Sequence, residues 1–463
     1  MSELQTTVVI QQKEIGRIEK RALVAVLLGV ILATLDTAIA NTALPTIATD
    51  LHSSAATSIW IINAYQLAVV STMLPFAALG DLLGPRRVFI GGIALFMLAS
   101  LGCACADSVA LLAAARAIQG IGAGAMMSVN IALIRLIYPP HRLGRGVGMN
   151  ALVVAIGFAV GPSVASLILS VTSWPWLFGI NVPLGALAIT FAFSSLPKTM
   201  RVVRGFDPIT ALLTVISFAG LIFTLSEVTQ LQPLSMTLSS LAITIISVVI
   251  LLRREAGHPA PMLPVDLLRR PLFALSTITA IAAFATQGLA FISLPFYFEQ
   301  VLHWDAINTG FLITAWPAVV ALAAPISGRL SDKYSPGILG GIGLALLCLG
   351  MGLLAILPAD PDTISVVIYL AICGAGFGMF QAPNLKALMS SAPPERSGGA
   401  SGVIGVARLL GQTSGAALVA LCFHYTGVQG ATLALASGAA TAAIASIASF
   451  SRVWVRNLDV KAL

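Results

Sequence analysis

Asp36 closes an apolar run, Ala22 to Leu35, that contains no charge. A helix rises 1.5 Å per residue, which sets Asp36 roughly 22 Å beyond Arg21, well inside a hydrocarbon layer about 30 Å thick. A carboxylate at that depth costs about 2.5–3.5 kcal/mol to insert, so it marks a functional site with a partner to be found. Only two basic residues could meet it inside the membrane, Arg116 and Arg408. In general, a neighbouring guanidinium favours the ionised carboxylate and dry surroundings favour the neutral one. A chain that moved Asp36 between two such settings would take up a proton in one and release it in the other. The chemistry at stake is proton coupling, with Asp36 as carrier and Arg116 as partner; a purely structural pair is the alternative.

The elements that must position these residues follow from composition. The chain has 463 residues, 58% hydrophobic and only 9% charged, with a mean hydropathy of +0.96; soluble domains carry about 25% charged residues. The formal charge of +7 invites a nucleic-acid reading, but its distribution excludes one. Twenty-three of the 25 basic residues, Arg452 among them, fall in the N-terminal segment, in alternate loops and near the C-terminus. That asymmetry places both termini in the cytoplasm and makes the number of helices even. The five cysteines lie in apolar runs without zinc-site spacing, so neither a metal site nor a disulfide framework is expected. Residues 1–21 are polar and of mixed charge, with no cleavable signal pattern.

Apolar stretches near 22–41, 58–79, 88–106, 109–137, 146–170, 175–196, 208–228, 235–252, 271–298, 306–328, 337–357, 364–388, 400–423 and 429–450 predict an all-α membrane protein of fourteen transmembrane helices. Trp60, Trp174, Trp176 and Trp304 stand at their outer ends as interfacial anchors. The layout reads as a cytoplasmic segment (1–21), a six-helix bundle (22–196), a two-helix insert with cytoplasmic linkers (197–270), a second six-helix bundle (271–450) and a cytoplasmic tail (451–463). Asp81 after helix 2 and Asp332 after helix 10 occupy matching positions eight helices apart. Repeated halves of this kind enclose a substrate site between them near the midplane.

Leu35-Asp36-Thr37 with Asn41-Thr42-Ala43-Leu44-Pro45, and Arg116-Ala117-Ile118-Gln119-Gly120-Ile121-Gly122-Ala123, are similar to the helix 1 and helix 4 signatures of a known family. The chain resembles the major facilitator superfamily, and within it the fourteen-helix drug:proton antiporters that export quaternary ammonium compounds and other drugs. The resemblance runs from about residue 22 to 450. Gln381-Ala382-Pro383-Asn384 and the segment from Arg408 to Gly415 extend it, although Arg408, about eight residues into its helix, is also placed to snorkel to the interface. The resemblance implies a gating motif in Asp81, Gly84, Arg86 and Arg87, with Asp332 in the second half. Ala77 and Leu82 depart from that pattern. It also implies an antiporter motif in Gly157, Gly161 and Pro162, which Ala165 and Ser166 leave incomplete; Pro175 stands where the family usually has Arg.

The resulting expectation is a proton-coupled exporter of lipophilic drugs working by alternating access in a bacterial inner membrane. It would be driven by the proton gradient without a cofactor, and it would be monomeric. Polar residues expected to line the cavity are Asn41, Asn63, Gln66, Gln119, Asn150, Gln287 and Asn384, beside Phe158, Phe284, Phe291 and Trp316. Glu227 and Glu299, near outer helix ends, are secondary proton-carrier candidates. With one deep acid, a proton exchanged for a monovalent cation moves no net charge, so monovalent cations and neutral drugs are expected to be handled better than dications. A carrier for a specific metabolite or siderophore is the alternative. No Walker-type loop or metal-spaced His pair supports ATP-driven transport or an enzyme.

Overall fold

In hydrocarbon no water satisfies backbone N–H and C=O groups, so the chain crosses it as helices. The computed structural model describes residues 17–138, 143–197, 207–229, 234–255, 265–392 and 397–461, and these are helical with no strand. Twelve stretches among them are long and apolar enough to cross a membrane.

In the first part of the chain the long helices are α1 (Arg17–Thr42), α2 (Trp60–Leu83), α3 (Pro85–Ala104), α4 (Val109–Ile137), α5 (Leu143–Val171) and α6 (Asn181–Ser195). They are followed by α7 (Pro208–Thr229) and α8 (Leu234–Glu255). The last part holds α9 (Pro271–Phe296), α10 (Ala315–Leu330), α11 (Pro336–Ala355), α12 (Thr363–Ser391), α13 (Ser397–Thr426) and α14 (Gly430–Lys461). Each apolar stretch read from the sequence is helical, with local breaks. Short helices Pro175–Gly179 and Ala306–Ile313 precede α6 and α10, and α9 ends in a π-helical turn, Tyr297–Val301. The final helix runs past the boundary read at residue 450, so Arg452 lies inside a helix.

Packing sorts the helices. α1 lies against α4, α5 and α6, and α4 against α2 and α3; in the later part α9 meets α13 and α14, and α12 meets α10 and α11. The two groups touch along α2–α13 and along α5 with Ala306–Ile313 and α10. α7 pairs with α8 and also lies on α2 and α13, covering the first of those seams. Asp207 caps α7 and forms an exposed 2.9 Å ion pair with Arg254 at the end of α8. The Thr210 hydroxyl and the Arg254 guanidinium hold its carboxyl well below the usual carboxylate range.

The two membrane faces differ. The face with the Lys- and Arg-bearing loops is termed the basic face. Near the opposite face a single apolar cluster runs across both groups, including Leu44, Ile47, Leu177, Phe178, Leu294 and Phe298. Ser163 and Thr314 share a 2.8 Å hydrogen bond there, and Gly310 seats against Ser166 and the Pro162 carbonyl. Toward the basic face the core divides into one cluster around Phe89, Phe96 and Ile134 and another around Phe273 and Leu388. The groups thus share one core at the opposite face, whereas toward the basic face the clusters separate and only α13, through Leu409, is drawn into the first of them.

Gly157 and Gly161 let α5 approach α1. A Cβ at Gly157 would overlap the Thr34 hydroxyl, and one at Gly161 would overlap Ala38. Gly161→Val is therefore expected to lose about 1–3 kcal/mol through overpacking, read as a lower thermal unfolding midpoint in detergent. Gly352, which has nothing within 4 Å of a built Cβ, is the control: Gly352→Ala is expected to leave that midpoint unchanged or slightly raised.

Candidate functional site

Asp36 is 1% exposed and Arg116 0% exposed. Helices α1 and α4 cross so that Arg116 Nη1 donates to Asp36 Oδ2 at 2.5 Å. Gln119, one turn on from Arg116 and on the same face, donates to Asp36 Oδ1 at 2.9 Å. Asn181, the first residue of α6, donates to the same oxygen at 2.7 Å. Ser100 of α3 accepts from Gln119 at 2.8 Å, and Gln119 Oε1 accepts from Arg116 at 2.6 Å. The guanidinium also donates from Nε to the Ile61 carbonyl of α2 at 3.3 Å. It lies 4.1 Å from the Tyr65 ring centroid and 5.5 Å from that of Phe178. Its Nη2 is buried without an acceptor among the described residues.

Five helices therefore converge on one carboxylate. The two charges would be costly to bury separately; together, with charge-assisted hydrogen bonds on both carboxylate oxygens, the cost is offset. Asn181, Ser100 and Tyr65 belong to this site although sequence reading assigned them no role. Asn181 carried the clearest signal, a lone amide inside an apolar stretch.

Beyond Tyr65 lies a cavity of about 30 Å³, walled by Thr37, Tyr65, Gln66, Phe158, Arg408 and Gln412 among others, large enough for a water molecule. Phe158, Arg408 and Gln412 also line a second cavity of about 330 Å³ between the two helix groups. Its rim residues toward the basic face, Leu152 and Leu385, are 51% and 45% exposed, whereas Phe291 and Trp316 at its deep end are 9% and 0% exposed. The cavity thus runs from exposed residues on the side of the basic face to a closed aromatic end on the opposite side. Phe284 and Phe377 meet edge to face with centroids 5.4 Å apart, and Phe291 and Trp316 are tilted at the same distance.

All four aromatic residues singled out in the sequence line this cavity, but of the seven polar ones only Gln287 does. Gln119 belongs to the Asp36 site. Gln66 lines the small cavity and accepts from Thr413 at 3.0 Å, bridging α2 and α13. Asn150 accepts from Asn130 at 2.6 Å. Asn384 accepts from Arg452 at 2.6 Å and donates to the Ser276 carbonyl at 3.2 Å. Asn41 and Asn63 are buried, each with a side-chain carbonyl that has no donor among the described residues. Arg452, read as a terminal charge, is itself buried against Ser276, Asn384 and Ser449. Arg408 does not snorkel away: it faces both cavities, with no hydrogen bond or ion pair among the described residues.

The other candidates separate. Glu227 accepts from Ser240, joining α7 to α8, and Glu299, in the π-helical turn, accepts from Thr46 at 3.4 Å. Each keeps one buried oxygen without a donor among the described residues, and neither touches the two cavities. At the gating motif, Gly84 takes φ +89°, a conformation suited to glycine. Arg86 donates to the Phe193 carbonyl at 2.7 Å rather than to a carboxylate, and Arg87 is exposed. The Asp81 side chain lies outside the described residues. Asp332 pairs with Lys386 at 2.5 Å across α10 and α12.

Removing one member of the central pair strands the other charge. Arg116→Gln is expected to cost about 3–5 kcal/mol, and Asp36→Asn with Arg116→Gln to recover most of it. Thermal unfolding of the four members of this double-mutant cycle measures the coupling.

Several known proteins share this chain's sequence pattern. It is 47% identical to the uncharacterized transporter YebQ of Escherichia coli (strain K12) over 93% of this chain and 95% of that one. It is 30% identical to the riboflavin transporter RibZ of Clostridioides difficile (strain 630), covering 81% and 82% respectively. It is 28% identical to the multidrug resistance protein Stp of Mycobacterium tuberculosis (strain CDC 1551 / Oshkosh), covering 87% and 76%. The pattern that defines the Major Facilitator Superfamily matches residues 26–416, and the chain belongs to that superfamily: it is a multi-pass membrane transporter of small molecules, not an enzyme.

Proposed function

We propose that this transporter is a proton-coupled exporter of lipophilic small molecules, with Asp36 carrying the proton and Arg116 setting the affinity for it. The observation that carries the reading is the buried Asp36–Arg116 pair, separated from the central cavity only by the Tyr65 ring and a space of one water molecule's size. The Arg116 guanidinium rests on Tyr65, and Tyr65 also walls the small cavity that shares Arg408, Phe158 and Gln412 with the larger one. A rearrangement that opens the cavity to the opposite face must repack α1 or α2 at Tyr65. That same motion loosens the donors around Asp36 and exposes it to water, where it protonates. Return to the present geometry restores Arg116, Gln119 and Asn181 to the carboxylate and expels the proton.

Fourteen spans fit this proposal. Of the twelve apolar stretches, Gly402–Val453 holds both α13 and α14, and Pro208–Thr229 supplies one more helix beyond the twelve. The basic face is then cytoplasmic, both termini lie there, and the cavity stands open to the cell interior. The likeness to a multidrug resistance protein supports export of varied lipophilic compounds. The likeness to a riboflavin transporter favours a second reading, a carrier for one aromatic metabolite; the aromatic lining of the 330 Å³ cavity suits that as well.

The expected leaning toward monovalent cations and neutral drugs over dications rests on charge balance with one deep acid, and it stands as part of this proposal. Which compounds bind is a separate matter that falls to the residues lining the cavity, because Tyr65 stands between the small cavity and the Arg116 guanidinium.

The test is transport in proteoliposomes under an imposed pH gradient, using a panel of lipophilic fluorescent dyes of different charge. Asp36→Asn is expected to reduce gradient-driven transport at least tenfold while dye binding is retained, the assay being run below the thermal unfolding midpoint that the stranded Arg116 lowers. Undiminished transport would move the proton carrier to Glu299 or Glu227 and leave Asp36 a structural partner of Arg116.

A further inference from the structure

The large cavity contains one charge, and it is positive. Arg408 faces the cavity without a counter-ion or hydrogen-bond acceptor among the described residues, and no carboxylate occurs among the described residues that line it. Asp36 cannot serve, because Arg116, Gln119 and Asn181 occupy both its oxygens.

The remaining polar groups are neutral and include spare donors. The Trp316 indole N–H is buried and has no acceptor among the described residues. Gln412 donates to Gln287 Oε1 at 3.1 Å, which engages one lone pair of that oxygen and leaves the Gln287 amide N–H groups available, while Gln412 Oε1 and the Gln381 amide add only neutral acceptors. The cavity thus presents a cation and spare donors, set among two pairs of aromatic rings. A guanidinium held at an apolar wall binds anionic oxygens through charge-assisted hydrogen bonds, and the low local dielectric strengthens their attraction.

We infer that the cavity selects lipophilic aromatic monoanions, such as ring-bearing carboxylates or sulfonates, with the acidic group on Arg408 and the ring system among Phe284, Phe291, Trp316 and Phe377. The volume of about 330 Å³ suits a body of two or three rings. This inference rests on the exporter reading for the direction of transport but not for the binding selectivity. Under that reading, a monoanion leaving as one proton enters moves two charges in the same sense, so export responds to membrane potential as well as to the pH gradient.

The experiment uses the full chain in nanodiscs of uncharged lipid and three naphthalenes of matched shape, bearing a sulfonate, a carboxamide or a trimethylammonium group. Equilibrium dialysis gives each affinity without any proton gradient. The sulfonate is expected to bind at least tenfold more tightly than the trimethylammonium probe. Arg408→Gln is expected to abolish that preference while leaving carboxamide binding unchanged, and Arg408→Lys to keep part of it. Trp316→Phe is expected to weaken the sulfonate more than the trimethylammonium probe. Equal or tighter binding of the cation to the wild-type protein overturns the proposal, as does undiminished sulfonate binding in Arg408→Gln. Should the Gln variant lose carboxamide binding too, the wild-type series and the Lys variant decide. Selective sulfonate binding without gradient-driven transport would overturn the exporter reading and leave this one standing.

Discussion

A carboxylate inside a membrane protein must be neutralised by a partner or by a proton, and the architecture around Asp36 supplies a partner. The ion pair with Arg116 is fully enclosed, and each oxygen of the carboxylate is engaged. Such an arrangement is stable only while every donor is in register. Five helices contribute to it, so a shift of any one of them breaks or lengthens a hydrogen bond of the network. The small residues of α5 matter here: Gly157 and Gly161 set how near that helix comes to α1 on either side of Asp36.

The cavity and the ion pair are neighbours without being the same site. Tyr65 separates two arginines, Arg116 stacked on its ring and Arg408 across the small cavity. In the proposed mechanism, occupancy of the large cavity acts on Asp36 through this shared wall rather than by direct competition for the carboxylate. Coupling of this kind needs an element with two packings that both sites bias, and the α2–α13 contact at Gln66 and Thr413 is well placed to be one.

Much of this was legible in the amino-acid sequence because hydrocarbon imposes strict rules on it. A run of fourteen uncharged residues ending in Asp36 leaves little freedom in how that acid is read, and few arginines were available to meet it. Helix faces were harder to read. The apolar stretches turn no strongly polar side to solvent, so nothing in the pattern says which way a lone amide points. Asn150, Asn384 and Gln66 consequently went to interhelical hydrogen bonds, and only Gln287 reached the large cavity. Arg452 was misread because the last helix outlasts its apolar part. Gly337 and Gly340 of α11 leave room beside it for the guanidinium, and Asn384 of α12 accepts from it. Asn181 lies 145 residues from Asp36, a pairing that no local spacing could reveal.

α7 lies over α2 and α13 and so covers one of the two seams between the helix groups, while α5 and α10 form the other. The large cavity sits against that second seam, with Leu152 of α5 and Ala321, Ala324 and Pro325 of α10 in its wall. The molecule is consequently lopsided in the plane of the bilayer: one flank is shuttered by the helix pair, the other borders the acyl chains. On that second flank α5 and α10, in contact with one another, are the wall between cavity and lipid, so the protein is one helix layer thick there and two where the pair covers it.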